Sequence, residues 1–291
     1  MLARVFIVIA LMVLMAVPLA ACQETQPAPP PPTEPSAPEG PEAPETVSFP
    51  DANLEAAVRE ALGKAAGEDI TADELAALTE LSAMKSDVAD LSGLEYGTGL
   101  TELWLIENQI SDISPLASLT GLTDLYLGTN QISDISPLEN LTNLTMLDLS
   151  HNQPGDISPL ANLTGLTELW LHGSQLTDIS PLANLTGLTE LSLLSNQISD
   201  ISPLQNLSGL TELWLDRNQI SDISALANLT DLNMLFLDIN QISDISPLVA
   251  NSGLGEGDVV TITENDLDLS EGSADMLNIG ALEDRGVTVG Y

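Results

Sequence analysis

Leu100-Thr101-Glu102-Leu103-Trp104-Leu105-Ile106-Glu107-Asn108-Gln109-Ile110-Ser111-Asp112-Ile113-Ser114-Pro115-Leu116 is a phrase that this chain repeats. Its first leucine recurs at Leu122, Leu144, Leu166, Leu188, Leu210 and Leu232, each step being 22 residues. The same step backwards lands on Leu78, which opens a degraded copy with Leu81, Ala83, Val88, Leu91 and Leu94 in register. The array therefore has eight units, over residues 78–253. A unit this short cannot bury its own apolar face, so stacked neighbours must supply a shared core. Period-two alternation through Leu103-Trp104-Leu105 predicts a strand with one face on that core. Leu103, Leu105, Asn108, Ile110, Ile113, Leu116 and Leu119 are expected to point inward, each buried aliphatic contributing roughly 1.5–3 kcal/mol.

The frame L-x-x-L-x-L-x-x-N-x-I at a fixed period is the signature of a leucine-rich repeat solenoid. The predicted class is an α/β solenoid of leucine-rich repeats. The nearly verbatim phrase Asn-Gln-Ile-Ser-Asp-Ile-Ser-Pro-Leu resembles the 22-residue repeats of the internalin family of bacterial surface proteins, over roughly residues 49–291. That resemblance implies a slightly curved leucine-rich repeat right-handed superhelix with a parallel concave β-sheet, a helical N-terminal cap and a C-terminal cap, and ligand binding by the concave face; it names no ligand. Asn108, Asn130, Asn152, Asn196, Asn218 and Asn240 form a column whose amides are expected to bond the backbone of the turn leaving each strand. Ser174 interrupts this column and Pro154 the Ile110 column, which places the local irregularities in the third and fourth full copies.

Ahead of the repeats the chain reads as export machinery and a spacer. Residues 1–21 carry one charge, Arg4, and an apolar run from Val5 to Val17, as in a secretory signal peptide. Leu19-Ala20-Ala21-Cys22 resembles the bacterial lipobox, which implies cleavage before Cys22 and lipidation of its thiol and new amine. The run is shorter than the ~20 residues of a spanning helix, and Cys22 is the only cysteine, so no internal disulfide forms. Gln23 after the cysteine, in place of the Asp of inner-membrane retention, points to the outer membrane or cell surface. Residues 22–48 are read as a Pro/Glu-rich disordered linker: ten of the 18 prolines fall between Gln23 and Pro50, in a composition with too little apolar surface to pack.

Residues 49–77 switch to helical periodicity and are the expected N-terminal cap. Asp51 can cap a helix with Leu54, Val58, Ala61 and Leu62 on one face, ending near Gly63 or Gly67. Thr71-Ala-Asp-Glu74 has capping-box spacing and opens a second short helix with Leu75 and Leu78. Phe49-Pro-Asp-Ala-Asn-Leu54 resembles the cap of internalin-like proteins. At the other end Leu254 keeps the step, Gly255-Glu256-Gly257 shifts the frame by three, and Val260, Ile262 and Asn265 take the places of Leu103, Leu105 and Asn108. Residues 254–291 are the expected C-terminal cap, with an apolar stretch from Met276 to Leu282 and a final strand at 286–289. Neither a wall-anchoring motif nor a second domain is expected after Tyr291.

With 43 acids against 6 bases the formal net charge is −37. Such a field repels nucleic acid and anionic lipid and favours cationic partners, counter-ions or high salt; a solubilising shell is its plainest role. The outward strand positions hold the candidate site. Steps of 22 from Trp104 give Tyr126, Asp148, Trp170, Ser192, Trp214 and Phe236, so all three tryptophans share one column although aromatics are only 3% of the chain. Trp and Tyr are favoured recognition residues, while block duplication of Glu-Leu-Trp-Leu is the alternative origin. Glu102, Asp124, Met146, Glu168, Glu190, Glu212 and Met234 flank the column on one side; Ile106, Gly128, Ser150, His172, Leu194, Asp216 and Asp238 flank it on the other. The expected ligand-binding set is Trp104, Tyr126, Trp170, Trp214 and Phe236 with Glu168, Glu190 and Glu212.

An aromatic centre with an acidic margin suits a protein ligand of basic character; a glycan stacked on the rings, or a passive spacer without a ligand, is the alternative. Asp112, Asp134, Asp156, Asp178, Asp200, Asp222 and Asp244 form a ladder expected to cap tight turns, and stacked carboxylates also offer oxygen ligands to calcium, though no loop has EF-hand order. His151 and His172, with Asp148 and Glu168 nearby, are the only histidines and most simply fill variable surface positions. With no nucleophile or phosphate-loop motif, a non-enzymatic monomer without cofactor or metal is expected.

Overall fold

The structure of the chain, a computed structural model, describes residues 45–291. The signal peptide, Cys22 and residues 22–44 of the expected linker lie outside them. Backbone pairing begins ahead of Phe49: Thr46 bridges Thr71, and the Val47 N–H donates to the Ile70 carbonyl at 2.8 Å. The linker boundary at residue 48 is thus too late by a few residues, because Val47 packs against the core of the cap.

The cap helices form where their capping residues lie. In helix α1 (Ala52–Leu62) the Asp51 carboxylate accepts the N–H groups of Asn53 and Leu54, and Gly63 ends the helix at φ +66°, a left-handed conformation that glycine adopts without a Cβ penalty. Leu54 and Val58 are buried, whereas Ala61 is exposed and Ala57 packs in its place. The expected face was displaced by one helical neighbour. Helix α2 (Ala72–Ala76) has both halves of the Thr71/Glu74 capping box, and it buries Leu75. Lys64, then the Thr71 N–H, hold the Glu74 carboxyl down at about 2.

Eight strands follow at the repeat spacing: β1 (Glu80–Ser82), β2 (Glu102–Trp104), β3 (Asp124–Tyr126), β4 (Met146–Asp148), β5 (Glu168–Trp170), β6 (Glu190–Ser192), β7 (Glu212–Trp214) and β8 (Met234–Phe236). Helix α3 (Ser246–Ala250), strand β9 (Val259–Thr261), helix α4 (Ala274–Glu283) and strand β10 (Thr288–Gly290) complete the chain. All ten strands form one parallel sheet in sequence order, without a crossover. In β9, Val260 lies opposite Leu235, and Asn265 takes the Ile242 N–H, as the shifted frame predicts. Arg285, from the turn after α4, donates to the carbonyls of Val249 and Asn251 and ties the end cap to α3.

Between strands the chain returns through short 3-10 turns such as Ser180–Asn184, with proline at an early position in most of them. The aliphatic columns Leu103, Leu105, Ile110, Leu116 and Leu119 are fully buried, and their aliphatic equivalents along the array are buried too. The aspartate ladder starts each turn: the Asp200 Oδ1, for example, accepts the Ser202 N–H at 2.8 Å, and the other six do the same. That bond holds the carboxyls of Asp112, Asp134, Asp178, Asp200 and Asp244 below their ordinary value. At Asp178 it outweighs repulsion from Asp200 one coil away.

A group whose folded pKa is depressed adds stability that is present above its unfolded pKa and is lost as pH falls through the folded one. Asp200→Ala is therefore expected to destabilise the array at neutral pH. The gap to wild type should close as pH drops below about 4, the unfolded aspartate value. Urea melts at neutral and acid pH check this; a gap that does not change with pH rules the cap out.

The asparagine column explains its own interruptions. Each Asn Oδ1 accepts a backbone N–H from the coil before it, twenty residues earlier: Asn130 from Ile110, Asn152 from Ile132, Asn218 from Ile198 and Asn240 from Ile220, at 2.9–3.1 Å. An asparagine at position 174 would need the N–H of residue 154, and Pro154 has none. Ser86, the other member of the column that is not asparagine, belongs to the first coil, which no repeat precedes. Both serine coils turn in the same way, with left-handed residues on either side of the serine: Lys85 and Asp87 in one, Gly173 and Gln175 in the other. The next asparagine then accepts two N–H groups instead of one, Asn108 from Ser86 and Val88, and Asn196 from Ser174 and Leu176. A cleft of about 360 Å³ opens at the second of these places, lined by Pro154, Gly155, Ser174 and Gln175 among others.

Candidate functional site

Because side chains alternate across a strand, the residues before and after each buried leucine share the outward face. Strand register then lines them up without offset. Trp104 lies opposite Tyr126, then Asp148, Trp170, Ser192, Trp214 and Phe236 in turn. Glu168, Glu190 and Glu212 are likewise neighbours in one row beside Trp170, Ser192 and Trp214. The expected site residues are thus brought together on one sheet face.

The column is not uniformly open. Trp104 stacks on Tyr126 with ring centroids 6.0 Å apart and planes within 10°, and Trp214 on Phe236 at 5.9 Å and 6°. These pairs cover part of one another, and all five aromatic residues of the set are half-buried. Asp148 and Ser192, between larger neighbours, are buried at 5% and 8% exposure, and Met146 in the flanking row is buried too. The Asp148 carboxylate folds over Gly128, where a Cβ would collide with it, and accepts the Ser150 N–H at 2.8 Å. Asp148 therefore fills its gap in the column. Ser192 does not: a cavity of about 250 Å³ lies between Trp170 and Trp214, completed by His172 and Leu194.

Charge is distributed unevenly around this cavity. Burial, then Glu168 and Glu212 on either side, push the Glu190 carboxyl above its ordinary value. The three ion pairs among the described residues are all N-terminal: Arg59–Glu55, Lys64–Glu74 and Lys85–Glu107. None neutralises the glutamate row. Further along, burial raises the Asp216 carboxyl, which accepts the Asp238 N–H at 3.0 Å.

The two histidines meet in a way that their sequence spacing allowed but did not specify. Their rings stand edge to face at 4.9 Å, and His172 Nδ1 is 2.8 Å from the Ser150 hydroxyl. Burial, and then His151, lower the His172 pKa, with Asp148 opposing them. His151 occupies a left-handed position, φ +53°, and its ring fills the space that a side chain at Gly173 would need. Among the described residues no group of three or more His, Cys, Asp or Glu side chains is placed to hold a metal ion, and no helix is long and apolar enough to cross a membrane. The left-handed column itself (Glu107, Thr129, His151, Ser195, Arg217, Ile239) escaped sequence reasoning. Its only signal is position, one residue before each asparagine, since the residue types have nothing in common.

Comparison with known proteins places this geometry. The family described as "Leucine Rich repeats (2 copies)" matches residues 98–140, 120–162, 164–206 and 208–250. The solved structure of an internalin (inlF) from Listeria monocytogenes is 42% identical, with 84% of this chain and 71% of that one covered at a TM-score of 0.77. An internalin C2 (inlC2) from the same organism is 40% identical, covering 78% of this chain and 99% of its own at a TM-score of 0.71. A leucine-rich repeat protein from Leptospira interrogans, at 22% identity and a TM-score of 0.67 over 76% of this chain and 62% of its own, shares the fold. No curated protein sequence matches the chain.

Proposed function

The chain belongs to the internalin family of leucine-rich repeat proteins, and from that premise we propose that it is a surface-displayed, non-enzymatic module that recognises a protein ligand through the outward face of its sheet. Internalin-like proteins are in general protein-interaction modules. The observation that carries the reading here is the placement of every tryptophan of the chain in one outward column, beside an unneutralised glutamate row. Half-buried aromatics on a rigid sheet present large contact area at low entropic cost, the character of interface hot spots. The acidic margin favours a basic protein and speeds its approach at low salt.

Trp170→Ala/Trp214→Ala is expected to lose the binders that wild type captures from envelope extract or host-surface protein, with both proteins folded by circular dichroism. Identical binders on both would defeat the sheet-face reading. Binding competed by free sugars would instead identify a glycan, and no saturable binder at all would identify a spacer.

Display rests on Leu19-Ala20-Ala21-Cys22, outside the described residues. Lipidation at Cys22 would hold the protein, as a monomer, at the outer membrane or cell surface, with more than one acyl chain giving stable anchoring. Cys22→Ser is expected to move the protein from the membrane fraction to soluble or uncleaved material. Unchanged fractionation with normal N-terminal processing would count decisively against the anchor.

A further inference from the structure

The gap at Ser192 has a composition that narrows what enters it. Its two side walls are indoles, Trp170 and Trp214, and Leu194 and His172 complete its lining. Trp214 is stacked on Phe236 on its far side, whereas Trp170, between Asp148 and Ser192, stacks on no other ring among the described residues. Two strand spacings separate the walls, roughly 9.6 Å between backbones, so the slot is the width of an alkyl chain rather than of a second folded element. Along β6, Glu190 precedes Ser192 by two residues on the same face, with Glu168 and Glu212 beside it in the strands on either side. The slot is therefore lined by apolar groups, and a row of carboxylates lies two residues away along its strands.

Extending the sheet-face reading on which it rests, we infer that this slot receives one amphipathic cation, the lysine or arginine side chain of the protein partner, with its aliphatic stem between Trp170 and Trp214 and its charged head at Glu168, Glu190 and Glu212. A long basic side chain has the matching form, an apolar stem ending in a charge. An indole face attracts that charge as well as packing the stem. A cation beside that row also relieves the repulsion within it, and no ion pair among the described residues does so. An aromatic or purely aliphatic insert would fill the walls but leave the row uncompensated, and a neutral sugar ring, although its hydroxyls can donate to the carboxylates, brings no positive charge to offset their mutual repulsion.

The chain has only three tryptophans, and Trp104 lies outside the slot, so it serves as an internal reference. In the indole region of an ¹⁵N-resolved spectrum of the full chain, the peptides Gly-Gly-Lys-Gly-Gly and Gly-Gly-Arg-Gly-Gly should shift Trp170 and Trp214 saturably and leave Trp104 in place. The norleucine peptide, with the stem but no side-chain charge, should bind at least about fivefold more weakly, the size of a solvent-exposed cation–π contact. Glu190→Gln should weaken the lysine peptide about two- to fivefold, as for one partly exposed ion pair. Ser192→Leu, which fills the slot, should abolish the shifts. Equal binding of the norleucine peptide, shifts of all three indoles together, or no saturable shift up to tens of millimolar would each overturn the assignment. Tryptophan-dependent capture of a partner alongside any of these results would leave the sheet-face reading standing and remove only the cation slot.

Discussion

Leu169→Ala is expected to cost the array about 2–5 kcal/mol, through lost burial and the cavity left behind, whereas Trp170→Ala, the next residue in the same strand, should cost far less. Leu169 is fully buried and lies between Leu147 and Leu191 in the leucine column, so every atom removed leaves a void in the shared core. Trp170 stands on the opposite face, half-buried, with no ring stacked on it among the described residues. In a stack where each coil contacts only its neighbours, the loss at Leu169 falls on two interfaces near the middle of the array. It should therefore broaden the unfolding transition as well as lower it. Paired denaturant melts of the two variants check the facing assignment; comparable losses would mean that the strand is turned the other way.

Asn218→Ala, in a regular coil, should destabilise the array by about 1–3 kcal/mol. Its amide donates to the carbonyls of Leu193 and Leu215, both at 3.0 Å, and its oxygen accepts the Ile198 N–H. Neighbouring asparagines also serve the two carbonyls, Asn196 at Leu193 and Asn240 at Leu215. The Ile198 N–H would be left without its side-chain acceptor, and an orphaned buried donor costs about 1–3 kcal/mol. The same logic gives a positive control. Ser174→Asn alone gains no acceptor bond, because Pro154 offers no N–H, and Pro154→Ile alone leaves a new N–H facing Ser174. Together they should be more stable than the sum of the singles by about 0.5–1.5 kcal/mol, read from a double-mutant cycle. Additive singles would show that the two departures are unrelated.

Most of the fold was legible because its interactions repeat. A strand that buries alternate residues, and a turn whose aspartate bonds the N–H two residues on, leave marks in the sequence at fixed spacing. Stacking turns one register into all the others. The cap helices were legible for a different reason: Asp51, Thr71 and Glu74 satisfy backbone donors within three residues, so their meaning is local. The Ala61 face and the residue 48 boundary failed where the answer depended on what packs above the helix or across from the extended segment. In the candidate site, the alignment of Trp104, Tyr126, Trp170, Trp214 and Phe236 followed from the step alone. Whether each gap between them is open did not. Asp148 and Ser192 occupy equivalent places, yet one gap is filled by a carboxylate folded over Gly128 and the other is a cavity. Side-chain volume and the small residue at Gly128 one coil away decided between them, and those distances exist only once the coils are stacked. Likewise Pro154 and Ser174 are twenty positions apart in the chain. Their relation became visible only when the parallel sheet set one coil against the next, because the hydrogen bond that neither can complete runs between coils.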